Sequence, residues 1–270
     1  MGDRDGIAVV QTSLGILAQL LGDYAAAQER YREARSLHRA NHDRAAMAEA
    51  EGNLGEVARV RGDPETAEAH YLRALREFET LGDTAGAAAA QVNLALVAET
   101  RGDYAAAEDR MRRALASYER SGERRGVATV HHGLGNLAQE RGDYAVAAEE
   151  YRRALSIRHE LADRVGAAHT SVNMSVLATR RGRPEEGVPL AVSALNTLLA
   201  AGSPEVGAAV GALREQRARL GDDVFTDIAR QCVGEADARV LAALLVDVPM
   251  TGIRDELRDH VQPDGDEAAG

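Results

Sequence analysis

The tetrapeptide Arg101-Gly102-Asp103-Tyr104 marks a turn that returns along the chain at a fixed interval. Its counterparts stand 40 residues apart without insertions, as Leu21-Gly22-Asp23-Tyr24, Arg61-Gly62-Asp63-Pro64, Arg141-Gly142-Asp143-Tyr144 and Arg181-Gly182-Arg183-Pro184. Glycine suits the left-handed position just past a helix end, and aspartate suits the N-cap of the helix that follows. Each tetrapeptide therefore predicts the end of one helix and the start of the next.

A second turn falls halfway through each 40-residue unit. These turns are His42-Asp43, Gly82-Asp83, Gly122-Glu123, Ala162-Asp163 and Gly202-Ser203. Each unit thus has two segments of roughly 17 residues, and the chemistry of the turns predicts that both are helices. Pro64 and Pro184 stand at the first helical position, where the missing N–H costs no hydrogen bond.

Apolar and small residues keep fixed columns in both helices. In the first helix, a column of large residues holds Leu14, Leu54, Leu94, Leu134 and Met174. The next column is always small and holds Gly15, Gly55, Ala95, Gly135 and Ser175. The second helix has a column of Tyr31, Tyr71, Met111, Tyr151 and Ala191. Small residues let the two helices of a hairpin approach closely, and the larger ones fill the space to the next hairpin.

These columns and turns resemble the tetratricopeptide repeat (TPR) over about residues 4–201. The period is 40 rather than ~34 residues, and the usual proline that closes the second helix is absent, which predicts longer helices. The 40-residue form resembles kinesin light chain-like arrays, bacterial peptide-sensing regulators and the TPR arms of actinobacterial regulators and signalling ATPases. The resemblance implies an all-α, right-handed superhelical solenoid of five TPR-like helical hairpins with a C-terminal helical cap.

Residues 202–270 do not keep the columns. Within residues 202–261 we expect degenerate capping helices at Pro204–Leu220, Asp223–Val233 and Glu235–Val246, because the open end of a repeat array must be closed. The composition of residues 262–270 predicts a disordered acidic tail. At the other end, Gly2-Asp3-Arg4 aligns with a turn between repeats, so the chain is either an arm of a longer protein or one that starts naturally at a repeat boundary.

The composition narrows the classes of function. The net charge is −11 and every basic residue is arginine, so a general nucleic-acid interface and lysine chemistry are not expected. A single cysteine, Cys232, argues against an internal disulfide and a multi-cysteine metal site. Neither a membrane span nor a signal peptide stands out, which predicts a cytoplasmic protein. No Gly-x-Gly-x-x-Gly motif and no EF-hand loop stands out either, so we expect neither a cofactor nor a metal. An arginine-only, alanine-rich chain is typical of a GC-rich genome, such as an actinobacterial one.

In the arrays that this chain resembles, first helices line a concave groove. The column directly before the large leucine or methionine of the first helix holds Ser13, Asn53, Asn93, Gly133 and Asn173. An asparagine amide offers a donor and an acceptor, and can therefore hold a peptide backbone without reading its sequence. By resemblance, Asn53, Asn93 and Asn173 contact bound peptide. The alternative is that these side chains bond neighbouring helices inside the array.

Further groove positions follow at one-turn intervals. One column holds Ile16, Glu56, Leu96, Asn136 and Val176, and the next holds Gln19, Arg59, Glu99, Gln139 and Thr179. We therefore add Glu56, Arg59 and Asn136 to the candidate ligand-binding residues. Glu49, Glu56, Glu99 and Glu140 outnumber Arg59 and Arg180, and this mildly acidic balance favours a neutral or basic ligand.

Histidines also fall on the first helices. His132 and His169 lie on adjacent first helices and are expected to approach across the groove. We favour ligand hydrogen bonding for this pair and packing for His131, with a zinc site or a general base as the alternative. The run His159-Glu160-Leu161-Ala162-Asp163 mimics a metalloprotease motif but spans a helix end, so it cannot place both ligands on one helical face.

The sequence thus predicts a non-catalytic scaffold or regulatory module that binds an extended protein or peptide segment in its groove. The first alternative is a sensor or autoinhibitory arm of a larger actinobacterial transcriptional regulator or signalling ATPase. The second is a small-molecule binder or enzyme that uses the groove histidines. Homo-oligomerisation is a further possibility, and it requires an apolar patch on Ile7, Val10 and Leu14.

Overall fold

The computed structural model describes residues 4–234 together with Leu241 and Leu245, and this part of the chain forms twelve α-helices and no β-strand. The helices are α1 Arg4–Leu20, α2 Tyr24–Ala40, α3 Arg44–Val60, α4 Pro64–Leu81, α5 Thr84–Thr100, α6 Tyr104–Ser121, α7 Arg124–Glu140, α8 Tyr144–Glu160, α9 Arg164–Arg180, α10 Pro184–Ala200, α11 Val206–Leu220 and α12 Asp222–Val233. The predicted all-α fold is confirmed, and the two helices pack against each other in the hairpins α1–α2, α3–α4, α5–α6 and α9–α10. No helix in the described residues is both long and apolar enough to cross a membrane.

The turns work as their chemistry predicts. Gly62 and Gly102 adopt φ near +77° and +76°, the left-handed conformation that ends the preceding helix. The carboxylate of Asp103 accepts a hydrogen bond from the backbone N–H of Ala106 at 3.0 Å and so caps α6. Two turns use a non-glycine residue at the left-handed position, with φ of 58° at His42 and 54° at Ala162.

Close packing of a small residue against an aromatic ring joins the two helices of a hairpin. A Cβ atom built on Gly55 would lie 2.6 Å from Cε1 of Tyr71, and one on Gly15 would lie 2.5 Å from Cε1 of Tyr31. Both tyrosines are almost completely buried. The glycine is therefore what allows the first helix to lie directly against the ring.

The chain forms two compact units, which divide between Leu137 and Ala138, near the end of α7. In the first unit each helix from α1 to α6 packs against the next along the chain. The first helices α3 and α5 also contact each other, whereas the described second helices α2, α4 and α6 make no comparable contact. In this unit α3 and α5 therefore lie on one common side, the side on which we expect the groove.

The second unit has its own core around α9 to α12. Val188, Leu195 and Leu198 of α10 pack with Leu213 of α11 and Phe225 of α12. α11 begins at Val206 and not at the expected Pro204, because the hydroxyl of Ser203 accepts a hydrogen bond from the N–H of Glu205 in a preceding turn. α12 matches the expected helix to within one residue.

The last predicted segments lie mostly beyond what the structure describes. Of the helix expected at Glu235–Val246, only Leu241 and Leu245 are described, and both are helical and buried. The tail expected at residues 262–270 is outside the described residues. The division into five repeats over residues 4–201 and a cap over residues 202–261 stays a prediction.

Candidate functional site

The asparagine column occupies the first helices, as the repeat predicts. Asn53 on α3 and Asn93 on α5 are half-buried, and within the described residues neither side chain has a hydrogen-bond partner. Both asparagines belong to the first unit, where α3 and α5 touch. An unpaired, half-buried amide retains its donors and acceptor for a ligand. These two residues are therefore the part of the predicted site that is free to bind.

Asn173, in contrast, lies on α9 of the second unit and already interacts with another group. Asn136 and His132 lie on α7 in the first unit, are half-buried, and also interact with other groups. His131 is buried, as the packing interpretation requires. His132 and His169 fall in different units, so their expected approach across the groove stays a prediction.

Glu56 and Arg59 are bound to each other rather than left open. The guanidinium of Arg59 donates two hydrogen bonds to the carboxylate of Glu56, at 2.8 and 2.6 Å, and the hydroxyl of Tyr71 donates a third at 3.0 Å. Burial would raise the pKa of Glu56, but these bonds and the charge of Arg59 lower it below its usual range. The pair therefore presents little net charge to a ligand.

The imidazole of His169 has an acidic neighbour. Its Nε2 atom lies 2.9 Å from a carboxylate oxygen of Glu205, at the distance of an ion pair but without the alignment of a hydrogen bond. The contact joins α9 to the residue before α11. Among the described residues, no group of three or more His, Cys, Asp or Glu side chains is arranged to hold a metal ion.

A further groove pair is found in the second unit. The guanidinium of Arg180 donates to the carboxylate of Glu140 at 3.1 Å, linking the ends of two first helices one repeat apart. With Glu56 also paired and Glu99 engaged in another interaction, Glu49 is the exposed groove carboxylate that keeps no partner within the described residues. The predicted acidic excess is therefore concentrated near Glu49.

The sequence reasoning missed a buried carboxylate, Glu51 on α3. Glu51 Oε1 accepts a hydrogen bond from Arg35 of α2 at 2.8 Å, and Oε2 bonds to Nδ1 of His70 of α4 at 2.6 Å. Burial would raise its pKa, but the hydrogen bonds from His70 and Arg35 and the charge of Arg35 lower it to about 2. The signal that could have found it is the repeated polar column at this position, with Gln11 and Gln91 in neighbouring repeats.

Helix α1 exposes an apolar surface. Eight of the thirteen exposed large hydrophobic residues in the described part of the chain lie between Ile7 and Leu21. Val10, Leu14 and Leu17 are 40–56% exposed, whereas their counterparts in α3 and α5 are at most 3% exposed. Those counterparts are Ala50, Leu54, Val57, Ala90, Leu94 and Val97. The patch required for self-association is therefore present.

Comparison with known protein families agrees with this architecture. Models described as tetratricopeptide repeat match residues 8–33, 46–120 and 126–199. The chain belongs to the tetratricopeptide repeat family. Members of this family are generally non-catalytic scaffolds, and the repeats support a protein-interaction scaffold for this chain. No curated protein sequence matches it.

Several solved structures share the fold. The apo form of RapI matches with a TM-score of 0.65 and 13% identity, over 90% of this chain and 86% of RapI. A Rap protein complexed with Competence and Sporulation Factor matches with a TM-score of 0.63 and 14% identity, over 91% of this chain and 74% of the other. A STAND signal transduction ATPase with a tetratricopeptide repeat sensor, from Pyrococcus horikoshii, matches with a TM-score of 0.68 and 14% identity. The match covers 93% of this chain and 39% of the ATPase. At these identities the likeness shows the fold alone.

Proposed function

We propose that this chain binds an extended peptide segment of a partner protein along the first-helix face of its first unit. The pair Asn53 and Asn93 carries the proposal, because both amides are half-buried, unpaired within the described residues and placed on adjacent first helices. Each amide would donate to a carbonyl and accept from an N–H of the ligand backbone. Such bonds hold any sequence, so specificity would come from the neighbouring side chains.

The charges around the asparagines suggest what the ligand carries. Glu56 and Arg59 neutralise each other, whereas Glu49 is exposed one turn from Asn53. A ligand with a basic side chain opposite Glu49 would gain a favourable charge contact, and an acidic one would be repelled. We therefore expect neutral or basic segments to bind in preference to acidic ones.

A random peptide library displayed on phage tests this proposal. Peptides retained by the full chain would be synthesised, and their dissociation constants measured by fluorescence anisotropy for wild type and the double variant Asn53→Ala/Asn93→Ala. We expect the double variant to bind about ten- to a hundredfold more weakly, since each lost hydrogen bond in a desolvated site weakens binding several-fold. The variant Asn196→Ala, an exposed position on the second helix α10, should bind like wild type.

If the double variant binds the selected peptides as tightly as wild type while circular dichroism shows equal helix content, the asparagine pair is not the binding site. Selection of predominantly acidic peptides would contradict the role given to Glu49.

We also propose that the α1 face pairs with a second copy of this chain. The segment from Gly6 to Gly22 contains no charged residue, so two copies with a net charge of −11 can meet there without opposing like charges. In addition to Val10, Leu14 and Leu17, the face exposes Val9, Ile16 and Leu20.

Light scattering over a range of protein concentrations tests self-association. We expect a concentration-dependent dimer for wild type, a monomer for Val10→Glu, and an unchanged dimer for Val146→Glu, which places the same substitution at an exposed position of α8. A wild type that is still monomeric at about 200 μM would contradict the proposal.

A further inference from the structure

The last hairpin, α9–α10, contains a cavity that the groove does not include. The cavity has a volume of about 260 Å³ and lies between the end of α8, the first half of α9 and the second half of α10. Its polar lining consists of His159, Arg164, Ser171, Ser193 and Thr197, and alanines complete the wall. All of these residues belong to the second unit, and Asn173 is not among them.

The same position in the second hairpin, α3–α4, shows what such a site accommodates. There Arg44, the first residue of α3, donates two hydrogen bonds to a carboxylate oxygen of Glu77 of α4, at 2.9 and 2.7 Å. Arg44 and Glu77 are 33 residues apart, as are Arg164 and Thr197 in the last hairpin. The carboxylate that binds the arginine in one hairpin is therefore replaced by a hydroxyl in the other, beside a cavity.

The groups around the cavity remain available. Within the described residues, the side chains of Arg164, His159 and Ser171 have no ion-pair or hydrogen-bond partner. The hydroxyl of Thr197 donates to the carbonyl of Ser193 at 3.0 Å. The adjacent carboxylate of Asp163 accepts from the N–H of Gly166 at 3.0 Å as the cap of α9. Apart from Thr197, the side-chain donors of Arg164, His159 and Ser171 that line the cavity thus have no acceptor within the described residues.

We propose that this cavity binds one oxyanion group of a small ligand, a carboxylate or a phosphate, in the place that the Glu77 carboxylate takes beside Arg44. The guanidinium of Arg164 would supply a forked pair of donors, the geometry that suits both groups. The hydroxyls of Ser171 and Ser193 and the imidazole of His159 would donate to the remaining oxygens. The volume of about 260 Å³ suits a small ligand.

Nuclear magnetic resonance of the full ¹⁵N-labelled chain tests this site, with inorganic phosphate and acetate added separately against sodium chloride of equal ionic strength. We expect saturable shifts of the Ser171 and Ser193 amide signals with at least one of the two ions. Arg164→Gln should weaken this binding roughly ten- to a hundredfold, as expected for a lost charge-assisted pair of hydrogen bonds. Stronger binding of phosphate indicates a phosphorylated ligand, and equal or stronger binding of acetate indicates a carboxylate.

Two further variants make the test specific. Thr197→Glu places in the last hairpin the carboxylate that Glu77 provides in the second. This carboxylate should pair with Arg164 and abolish ion binding without unfolding the chain. Arg44→Gln removes the corresponding arginine where Glu77 is present, and it should leave ion binding unchanged. Absence of saturable shifts with both ions, or wild-type affinity in Arg164→Gln or Thr197→Glu, would overturn the proposal.

Discussion

Gly55 shows how one missing side chain sets the distance between two helices. A Cβ atom at this position would lie 2.6 Å from the ring of Tyr71, which is fully buried and has no space to move into. We expect Gly55→Ala to lower the free energy of unfolding by about 1–2 kcal/mol, because overpacking outweighs the better helix propensity of alanine.

Gly52, on the same helix, is the matched control for that prediction. A Cβ atom there meets no other atom within 4 Å. Gly52→Ala should therefore raise the free energy of unfolding by about 0.5–1 kcal/mol through helix propensity alone. Urea denaturation of both variants checks the pair, and equal stabilisation by both would show that the Gly55–Tyr71 contact does not limit packing.

Glu51 makes stability depend on pH. Its folded-state pKa of about 2 lies below the value of about 4.3 for an unperturbed glutamate, so the contribution is complete above the unfolded value and is lost as pH falls through 2. Glu51→Gln should lower the free energy of unfolding by roughly 2 kcal/mol at pH 7, because it leaves Arg35 and His70 without a buried anion.

The difference between wild type and Glu51→Gln should then shrink as pH falls from 4.5 towards 2. Denaturation at a series of pH values measures this difference, with Glu49→Gln, an exposed position on the same helix, as a variant that should follow wild type throughout. A difference that stays constant down to pH 2 would contradict the account of the Glu51 cluster.

At the scale of the element, the turns between helices are not equally suited to their conformation. Ala162 adopts φ of 54°, whereas the corresponding turn residue Gly122 adopts 72° without the strain of a side chain. A left-handed conformation costs an L-residue roughly 1–2 kcal/mol, part of which glycine loses again in chain entropy. Ala162→Gly should therefore raise the midpoint of thermal unfolding, and Gly122→Ala should lower it. Calorimetry that finds both changes in the same direction would contradict this interpretation of the turns.

Most of the helices could be predicted from the sequence because each turn carries its own chemistry. The Gly-Asp pairs specify where one helix ends and the next begins, independently of the rest of the fold. The predicted start of α11 is wrong by two residues because Ser203 caps a turn at Pro204 and Glu205, a local contact that breaks the pattern of the repeats. Positions that depend on neighbouring side chains are harder to assign from sequence than positions that depend on the backbone.

At the scale of the whole molecule, the repeat explains the candidate site better than its individual residues do. The 40-residue period is sufficient to place Asn53 and Asn93 on adjacent first helices, and these helices are in contact. The period cannot predict that Arg59 binds Glu56, or that Asn173 is engaged elsewhere, because the side chains at these columns differ from repeat to repeat. The cavity beside Arg164 likewise arises where one hairpin departs from another, at Thr197.

The central claim is that Asn53 and Asn93 hold the backbone of a bound peptide. It is tested most directly by a double-mutant cycle that pairs Asn53→Ala/Asn93→Ala with a selected peptide in which single backbone amides are replaced by esters. An ester removes the N–H donor and weakens the carbonyl acceptor without changing the side chains. We predict that at least one ester weakens binding to wild type about five- to tenfold but leaves binding to the double variant unchanged, which is the signature of a direct coupling. An ester effect of equal size in both proteins at every position would contradict the claim.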